Sequence, residues 1–226
     1  MNPVMRRNRV DHRLYVLIDP AARGGHDLAA LTDQVIAGGA TLIQLRDKLG
    51  GVRDMIARAR VVHAAAAGRV PVLVNDRVDV ALAAGADGVH LGQDDMPVAD
   101  ACRVMGQRAI IGLTVKSMAQ AEAASLDLLD YVCVGGVFAT TSKDNPDAPV
   151  GLAGLAGIAR TLRARDAAIP VGAIAGIDAG NAADVIAAGA DGIAVISAVS
   201  GAADPLQAAR TLRAIVDGAL AQRKRP

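Results

Sequence analysis

Two acidic side chains follow neighbouring apolar runs of the sequence, at the points where predicted parallel strands end. Asp76 comes after the run Val70–Val74, and Asp95 comes after Gly88–Leu91. Carboxylate oxygens are hard ligands that suit a Mg²⁺ ion shared with substrate phosphates. Aspartate is also a favoured N-cap residue, so each carboxylate could instead cap the helix that follows it. The spacing therefore predicts a Mg²⁺ site at Asp76 and Asp95, and helix capping is a compatible alternative.

Three cationic side chains lie in the loops after two other predicted strands. Arg46 and Lys48 follow the second strand, and Lys143 lies in the loop after the sixth. Arginine binds phosphate oxygens with its forked guanidinium and lysine binds them as a point charge, so together with Mg²⁺ they could neutralise a diphosphate. The segment before Lys143 resembles a flexible lid with phosphate-contacting hydroxyls. Those hydroxyls belong to Thr140, Thr141 and Ser142.

A second phosphate site is predicted after the last two strands. Gly176 and Ser197 follow predicted strands seven and eight, which is the usual place for a phosphate on a (β/α)₈ barrel. Glycine there lets backbone N–H groups approach the oxygens of the anion. The segment Gly176–Asp178 could instead be a turn whose aspartate caps a helix. The sequence leaves both interpretations of this segment open.

The histidines offer no evident catalytic triad. His12 is near the start of the chain, and His26 and His63 fall on predicted helices. His90 falls inside the fourth predicted strand, where we expect a packed or hydrogen-bonded structural residue. Because no nucleophile and base stand out, the residues favour a reaction in which positioned charges stabilise a departing diphosphate.

The elements that must position these residues are repeated βα units. Short Val/Ile/Leu runs alternate with Ala-rich segments along the whole chain, which predicts a single-domain (β/α)₈ TIM barrel with its chemistry at the carboxyl ends of the strands. The predicted strands are Leu14–Ile18, Thr41–Leu45, Val70–Val74, Gly88–Leu91, Ala109–Leu113, Tyr131–Val134, Pro170–Ala173 and Gly192–Ile196. The predicted helices are His26–Ala37, Val52–Ala67, Val78–Ala84, Val98–Met105, Met118–Leu126, Leu155–Arg165, Asn181–Ala188 and Pro205–Leu220.

An internal repeat supports the closed barrel. The segment Ala83–Gly88 recurs as Ala187–Gly192, four predicted βα units later. In each copy a glycine would end a helix before the chain turns into a strand. Half-barrel duplication would produce this repeat, although any Ala-rich turn between a helix and a strand could look alike. A doubly wound open sheet is the competing fold, but neither of its nucleotide-binding glycine motifs is present.

Composition and charge exclude several classes of protein. In 226 residues, 24 basic and 23 acidic side chains leave a net charge of +1, which argues against a nucleic-acid or anionic-membrane partner. No apolar run approaches the ~18 residues needed to span a bilayer, and Leu14–Ile18 is too short for a signal peptide. Cys102 and Cys133 lack the spacing of a zinc site or disulfide framework. We expect a cytoplasmic protein that acts on small molecules, one domain over residues 1–226, with disordered basic tails at about 1–12 and 222–226.

Four strand-end motifs carry a resemblance to a known family: Gln44–Lys48, Asn75–Arg77, Gly88–Asp95 and Val195–Ala198. Together they resemble thiamine phosphate synthase, the thiamine-phosphate pyrophosphorylase family, over nearly the whole chain. The resemblance implies a transferase that joins 4-amino-5-hydroxymethyl-2-methylpyrimidine diphosphate to a thiazole phosphate, giving thiamine phosphate and pyrophosphate. The implied mechanism is dissociative: diphosphate leaves first, the aminopyrimidine ring stabilises the methylene cation, and the thiazole nitrogen attacks it.

Carried over to this chain, the family pattern assigns the site residues to the metal and to the two substrates. Asp76 and Asp95 would hold Mg²⁺. The expected catalytic residues are Arg46, Lys48, Thr114 and Lys143. The pyrimidine diphosphate would contact Gln44, Arg46, Lys48, Asn75, Thr114 and Lys143. The thiazole phosphate would contact Thr140, Ser142, Gly176, Ile196 and Ser197, with Thr141 in the same loop.

The chain departs from the usual family pattern near the expected phosphates. Thr114 stands where serine is common and Ser142 stands where threonine is common, so both positions keep a hydroxyl. Gly136 and Ala139 stand where proline is common, which should loosen the strand-six loop because proline restricts the chain before folding. Ala173 and Ala175 stand where glycine is more frequent, close to the expected thiazole phosphate.

Two other functions are compatible with the same fold. A related barrel could bind thiazole phosphate or thiamine phosphate without coupling, as a regulator or a thiazole tautomerase. Such a relative could dispense with the diphosphate-binding residues, and this chain has them all. An unrelated phosphosugar isomerase or aldolase would need a Schiff-base lysine or a base inside the barrel, for which the sequence offers no strong candidate. The transferase is therefore the preferred hypothesis.

Overall fold

Eight parallel strands close into a barrel in chain order, and β8 pairs with β1 to complete it. The computed structural model describes residues 10–22, 24–140 and 148–223. The predicted single-domain (β/α)₈ fold is confirmed for this part of the chain. The strands are β1 (Leu14–Ile18), β2 (Leu42–Leu45), β3 (Val72–Asn75), β4 (Gly88–Leu91), β5 (Ile110–Val115), β6 (Tyr131–Val134), β7 (Val171–Ile174) and β8 (Gly192–Val195).

Helices cover the outside of the barrel. The structure adds a short helix directly after β8 that the sequence analysis did not predict, and it ends α5 early because Ala124 is extended. No helix within the described ranges is long and apolar enough to cross a membrane. The helices are α1 (Leu28–Ala37), α2 (Val52–Ala66), α3 (Val78–Ala84), α4 (Val98–Met105), α5 (Met118–Ala123), α6 (Gly151–Arg165), α7 (Ala182–Ala187), α8 (Ser197–Ser200) and α9 (Pro205–Gln222), with a 3₁₀ turn at Leu126–Leu128.

Alternate residues of the strands face two separate cores. Leu14, Val16 and Ile18 pack between the barrel and the helices. Tyr15 and Leu17 instead point into the barrel, as does Tyr131. This alternation follows from the two-residue period of a β-strand. It also sends Gln44, two residues after the inward-facing Leu42, into the barrel and toward its C-terminal end.

Glycines at inward-facing positions make room for the aromatic rings of the barrel interior. A Cβ atom on Gly112 would lie 2.2 Å from the ring of Tyr131, and one on Gly192 would lie 1.9 Å from the carbonyl oxygen of His12. Both distances are far below van der Waals contact, so only glycine fits. The rings of His12, Tyr131 and His90 stack, with centroids 5.7 and 5.5 Å apart.

A polar side chain just before each even-numbered strand holds the start of the preceding odd-numbered strand. Each of these side chains bonds a backbone N–H group at the N-terminal end of the barrel, which would otherwise be buried without a partner. The pairs are Thr41–Leu14 (3.1 Å), Asp87–Val72 (2.8 Å), Asp130–Ile111 (2.8 Å) and Asp191–Val171 (3.0 Å).

This anchoring gives the internal repeat a physical role. Asp87 and Asp191 are the aspartates of its two copies, and they precede β4 and β8, half a barrel apart. Gly85 ends α3 in the left-handed conformation (φ 72°), as predicted. In the second copy the cap of α7 is Ala188, and Gly189 follows it with φ 117°. Both copies therefore need a glycine for the turn and an aspartate for the anchor.

Residues at both ends of the described chain belong to the barrel rather than to tails. Val10 and His12 are buried, and His12 stacks beneath Tyr131 in the interior. Helix α9 continues to Gln222, and Arg223 pairs with Asp191 at 2.5 Å. The expected tails are therefore wrong for residues 10–12 and 222–223, because these residues close the N-terminal end of the barrel. Residues 1–9 and 224–226 lie outside the described residues.

Candidate active site

A pocket opens at the C-terminal ends of the strands. About 850 Å³ of its space is not filled by protein atoms, part of it open to solvent. Most of the predicted substrate-binding residues line it, although their roles stay predictions. Those in the lining are Gln44, Arg46, Asn75, Thr114, Thr140, Gly176, Ile196 and Ser197.

A cluster of three charged side chains lies at the ends of β2, β3 and β4. Lys48 forms an ion pair with Asp76, and the carboxyl groups of Asp76 and Asp95 are close enough to interact. Burial and the neighbouring Asp76 raise the pKa of the Asp95 carboxyl, against the opposing effects of the Gly92 amide and Lys48. The structure thus brings the two predicted metal-ligating carboxylates together.

Neither of these carboxylates caps a helix. Helix α3 begins after Arg77 and α4 begins after Pro97, and neither cap residue makes a side-chain hydrogen bond to its helix. The Asp95 carboxylate instead accepts a hydrogen bond from the N–H of Gly92 at 2.6 Å. Asp76 lies in the left-handed conformation with φ 61°, which turns the chain sharply after β3. The capping interpretation is therefore wrong at both positions.

Arg46 is held by an aspartate that the sequence analysis did not select. The guanidinium pairs with the carboxylate of Asp19, and both side chains are largely buried, at 12% and 7% exposed. Asp19 directly follows β1, and the N–H of Arg46 donates to the carbonyl of Ile18 at 2.9 Å. The signal that identified the other site residues, a polar side chain just after an apolar run, applies to Asp19 as well.

The floor of the pocket is polar. Gln44 Nε2 donates to the hydroxyl of Tyr15, and the hydroxyl oxygens of Tyr15 and Tyr131 are 3.0 Å apart. Tyr131 Oη lies 2.7 Å from His90 Nδ1, and His90 Nε2 lies 2.7 Å from Thr114 Oγ1. Burial raises the pKa of both tyrosines, so both phenols stay neutral. His90 is buried and hydrogen-bonded, as the sequence predicts.

The turn after β7 carries two unusual backbone conformations. Gly176 has φ 64°, and a Cβ atom there would lie 2.4 Å from the carbonyl oxygen of Ala139. Ala175 has φ 93°, a region that residues with a side chain rarely adopt. The Asp178 side chain accepts from the N–H of Gly180 at 2.8 Å, and α7 begins only after Asn181. Asp178 therefore caps the turn that leads into α7, whereas the N-cap residue of α7 itself is Asn181.

The base of the loop after β6 is tied to that turn. The N–H groups of Val137 and Phe138 donate to the carbonyls of Ile174 and Ala175, each at 3.1 Å. Gly136 has φ 70°, which proline cannot adopt, so this backbone differs from the one that a proline would give. Three predicted site residues of this loop lie outside the described residues: Thr141, Ser142 and Lys143.

Lys116 is a pocket-lining cation that the sequence analysis did not select. It follows β5 directly, two residues after Thr114. The predicted strand ended at Leu113, whereas β5 continues to Val115. Because the predicted strand was too short, Lys116 did not stand out as a strand-end residue.

A closed parallel barrel with a polar pocket at the C-terminal ends of its strands defines the TIM-barrel class of enzymes. Among solved structures, thiamine phosphate pyrophosphorylase from Pyrococcus furiosus matches with a TM-score of 0.78 and 38% identity, over 91% of this chain and 96% of that one. A 3-hexulose-6-phosphate synthase matches with a TM-score of 0.63 at 19% identity, which shows the shared fold alone.

Sequence comparisons identify the family. Residues 14–199 match the family model described as thiamine monophosphate synthase. The chain is 50% identical over 218 residues to thiamine-phosphate synthase of Agrobacterium fabrum, covering 96% of this chain and 99% of that protein. It is 49% identical over 209 residues to thiamine-phosphate synthase of Chloroflexus aurantiacus, with 92% and 94% coverage. The chain belongs to the thiamine monophosphate synthase family and is an enzyme of the transferase class.

Proposed function

We propose that this enzyme condenses 4-amino-5-hydroxymethyl-2-methylpyrimidine diphosphate with 4-methyl-5-(2-phosphooxyethyl)thiazole, or its carboxylated form, to give thiamine phosphate and pyrophosphate. The observation that carries the proposal is one pocket that Arg46 lines at the end of β2 and that Gly176 and Ser197 line after β7 and β8. A guanidinium and a glycine-rich strand end are both suited to binding phosphate. Two phosphorylated substrates could bind there with their reacting atoms between them. The net charge of +1 fits an enzyme that acts on small molecules, and the two free cysteines fit a reducing cytoplasm.

The diphosphate end draws on residues of four strands. The ion pair with Asp19 holds the Arg46 side chain in place at the pocket, so its guanidinium is already positioned before a substrate binds. Asn75 and Thr114 add uncharged polar groups to the same lining. Lys48 forms an ion pair with Asp76, so its positive charge lies beside the proposed metal site. Lys143 is proposed to reach the diphosphate from the loop after β6.

Asp76 and Asp95 fit a divalent cation. Two adjacent carboxylates supply hard oxygen ligands, and the raised pKa of Asp95 reflects its burial beside the like charge of Asp76. The described part of the chain holds no group of three or more His, Cys, Asp or Glu side chains that could bind a metal alone, so substrate oxygens and water would complete the shell of a Mg²⁺ ion. A bound Mg²⁺ would stabilise negative charge on the departing diphosphate.

The pocket favours loss of diphosphate over general-base catalysis. His90 is the histidine in the pocket lining, and both of its ring nitrogens lie 2.7 Å from a protein hydroxyl, so it is not presented to a substrate as a base. A thiazole nitrogen attacks with its lone pair and has no proton to lose. Arg46, Lys48, Thr114 and Lys143 would therefore act by stabilising charge on the leaving group.

The thiazole phosphate would bind at the ends of β7 and β8. Gly176 exposes its backbone in a left-handed turn, and Ser197 begins the short helix α8 beside it. This is the usual phosphate position of the fold. Ile196 gives the lining an apolar surface for the thiazole ring, and Thr140 borders the same pocket. Thr141 and Ser142 would contribute from the loop after β6.

Release of pyrophosphate tests this proposal. The full chain with Mg²⁺ and both substrates should release pyrophosphate, and omission of the thiazole phosphate should reduce that release sharply. Asp76→Ala and Asp95→Ala should abolish turnover while the circular dichroism spectrum is unchanged. Asp94→Ala is the matched control, because Asp94 is an exposed aspartate next to Asp95 that takes no part in the Lys48–Asp76–Asp95 cluster.

Two results would contradict the proposal. Full activity of either Ala variant would show that the metal assignment is wrong. Binding of the thiazole phosphate without binding of the pyrimidine diphosphate would instead favour the regulator or tautomerase function.

A further inference from the structure

A chain of hydrogen bonds crosses the barrel interior from Gln44 on β2 to Thr114 on β5. It passes through Tyr15, Tyr131 and His90, and both of its ends line the pocket. We call it the Gln44–Thr114 relay. The two tyrosines have no part in the reaction proposed above, although they are the only tyrosines of the chain and lie fully inside the barrel.

The Gln44 end sets the direction of the first hydrogen bond. Gln44 Nε2 donates to the hydroxyl oxygen of Tyr15. The other polar atom of this side chain, Oε1, is buried and has no partner within the described residues. The amide N–H of Gln44 is therefore engaged with Tyr15, and Gln44 is the donor at this end of the relay.

The tyrosine pair continues in the same direction. Either hydroxyl could donate across the 3.0 Å between Tyr15 and Tyr131. If Tyr131 donated, Tyr15 would accept two hydrogen bonds and its own proton would be buried without an acceptor. Buried polar groups are rarely left unpaired, so with Gln44 Nε2 donating to Tyr15 the arrangement that pairs both hydroxyl protons has Tyr15 as the donor and Tyr131 as the acceptor. Burial raises the pKa of both phenols, so each keeps the proton that this arrangement needs.

The direction of the relay then fixes the state of His90. Tyr131 accepts from Tyr15, so its own proton points to His90 Nδ1 at 2.7 Å. A neutral imidazole carries one proton, and with Nδ1 as acceptor that proton lies on Nε2. Nε2–H then donates to Thr114 Oγ1 at 2.7 Å. Thr114 accepts this bond, so its own O–H is free to point into the pocket that it lines.

We propose that Tyr15 and Tyr131 are positioning residues that hold His90 as its Nε2–H tautomer and thereby make the Thr114 hydroxyl a hydrogen-bond donor to bound substrate. The identity of the acceptor rests on the proposed function, in which Thr114 faces an oxygen of the diphosphate. A phosphate oxygen can only accept a hydrogen bond, so a Thr114 hydroxyl that pointed at His90 would contribute nothing to binding.

The relay also couples the two ends of the site. Reversing every hydrogen bond would require the Gln44 amide to turn over, so that Oε1 accepts from Tyr15 and the Thr114 proton points at His90. The orientation of the buried Gln44 amide is therefore linked to the direction in which the Thr114 hydroxyl points. With Gln44 Nε2 donating to Tyr15, the site is complementary to a ligand with a hydrogen-bond acceptor near Thr114.

Nuclear magnetic resonance of the full chain labelled with ¹⁵N-histidine tests the tautomer directly. Long-range ¹H–¹⁵N correlation at neutral pH should show His90 with its proton on Nε2 and an acceptor Nδ1, and comparison with His90→Gln assigns its signals. Tyr131→Phe should shift the His90 Nδ1 signal, because its donor is removed. Tyr15→Phe is the matched control, since it also deletes a buried hydroxyl but leaves the Tyr131–His90 hydrogen bond.

A proton on Nδ1 in the unaltered enzyme, or a Nδ1 signal that Tyr131→Phe leaves in place, would overturn the proposal. These readouts need no turnover, so they stand even if the proposed reaction is wrong. If turnover is observed, Tyr131→Phe should lower kcat/KM for the pyrimidine diphosphate about tenfold, the effect of one lost hydrogen bond. The same substitution should have little further effect in a Thr114→Val background, and an undiminished effect there would show that Tyr131 does not act through Thr114.

Discussion

Ala175 has the largest positive φ of the described residues other than glycine, in a conformation suited to glycine. Its φ of 93° lies where a Cβ atom is strained, and the adjacent Gly176 at φ 64° shows that the whole turn after β7 is built from such backbone. Both residues line the pocket. The turn therefore stores strain where the substrate phosphate is expected, and relief of that strain should be measurable.

We predict that Ala175→Gly raises the free energy of unfolding by about 1 kcal/mol, because relief of strain outweighs the added entropy of the unfolded chain. Urea denaturation of the two proteins measures the change. Ala173→Gly is the control, since Ala173 lies in β7 and has no positive φ, and glycine there should destabilise. A lower free energy of unfolding in Ala175→Gly would show that the backbone at Ala175 is not strained.

Asp19 should be as important to turnover as the arginine that it holds. Asp19→Asn removes the charge that orients Arg46 in a nearly buried pair, and we predict a decrease in kcat/KM of roughly tenfold or more. Steady-state kinetics measures it. Asp217→Asn alters ion pairs to Arg13 and Arg213 away from the pocket and should leave kcat/KM unchanged. Equal effects of the two substitutions would show that Asp19 acts through stability alone.

At the scale of elements, the barrel is held at its N-terminal end by side chains that precede the even-numbered strands. We predict that Asp130→Ala lowers the free energy of unfolding by about 1–3 kcal/mol, since it leaves the buried N–H of Ile111 without its acceptor. KM should not change, because Asp130 lies at the opposite end of the barrel from the pocket. Denaturant unfolding and kinetics of one variant give both values, and unchanged stability would show that the anchor is dispensable.

The sequence predicts the elements well because each βα unit carries its own apolar period. Strands β1, β4 and β6 and helices α3 and α4 have the predicted boundaries, whereas β5 is longer than predicted because Thr114 and Val115 continue it. The presence of polar side chains just after apolar runs also identifies most of the predicted substrate-binding residues that line the pocket. It does not find Tyr15 and Tyr131, because inward-facing tyrosines look like ordinary core residues until the strands are closed into a barrel. Asp19 does follow an apolar run, but its pairing with Arg46 joins two neighbouring strands and therefore has no local signature in sequence.

At the scale of the whole molecule, His12, which is buried at the N-terminal end of the barrel, should make the free energy of unfolding depend on pH. Burial lowers the pKa of His12 from its ordinary value of 6.5, while Asp191 and Asp11 oppose this effect. Its Nε2 is also buried without a described partner. The unfolded chain therefore binds a proton as the pH falls below about 6.5 while folded His12 stays neutral, and stability decreases over that interval.

We predict that His12→Leu weakens this decrease. Leucine has no proton to bind, so the free energy of unfolding should fall less between neutral pH and the lowered pKa of His12 in the folded state. Urea denaturation at several pH values on both sides of 6.5 measures the slope for each protein. Identical slopes in the two proteins would show that His12 is not the group responsible.

The central claim is that two phosphorylated substrates meet in one pocket beside an acidic pair that binds Mg²⁺. Purified full-length chain should be incubated with the pyrimidine diphosphate, the thiazole phosphate and Mg²⁺, and thiamine phosphate detected by oxidation to fluorescent thiochrome. We expect product that disappears with EDTA and returns with added Mg²⁺. Product formation that EDTA does not affect would contradict the metal site, and the absence of product from folded enzyme that still binds the thiazole phosphate would contradict the transferase itself.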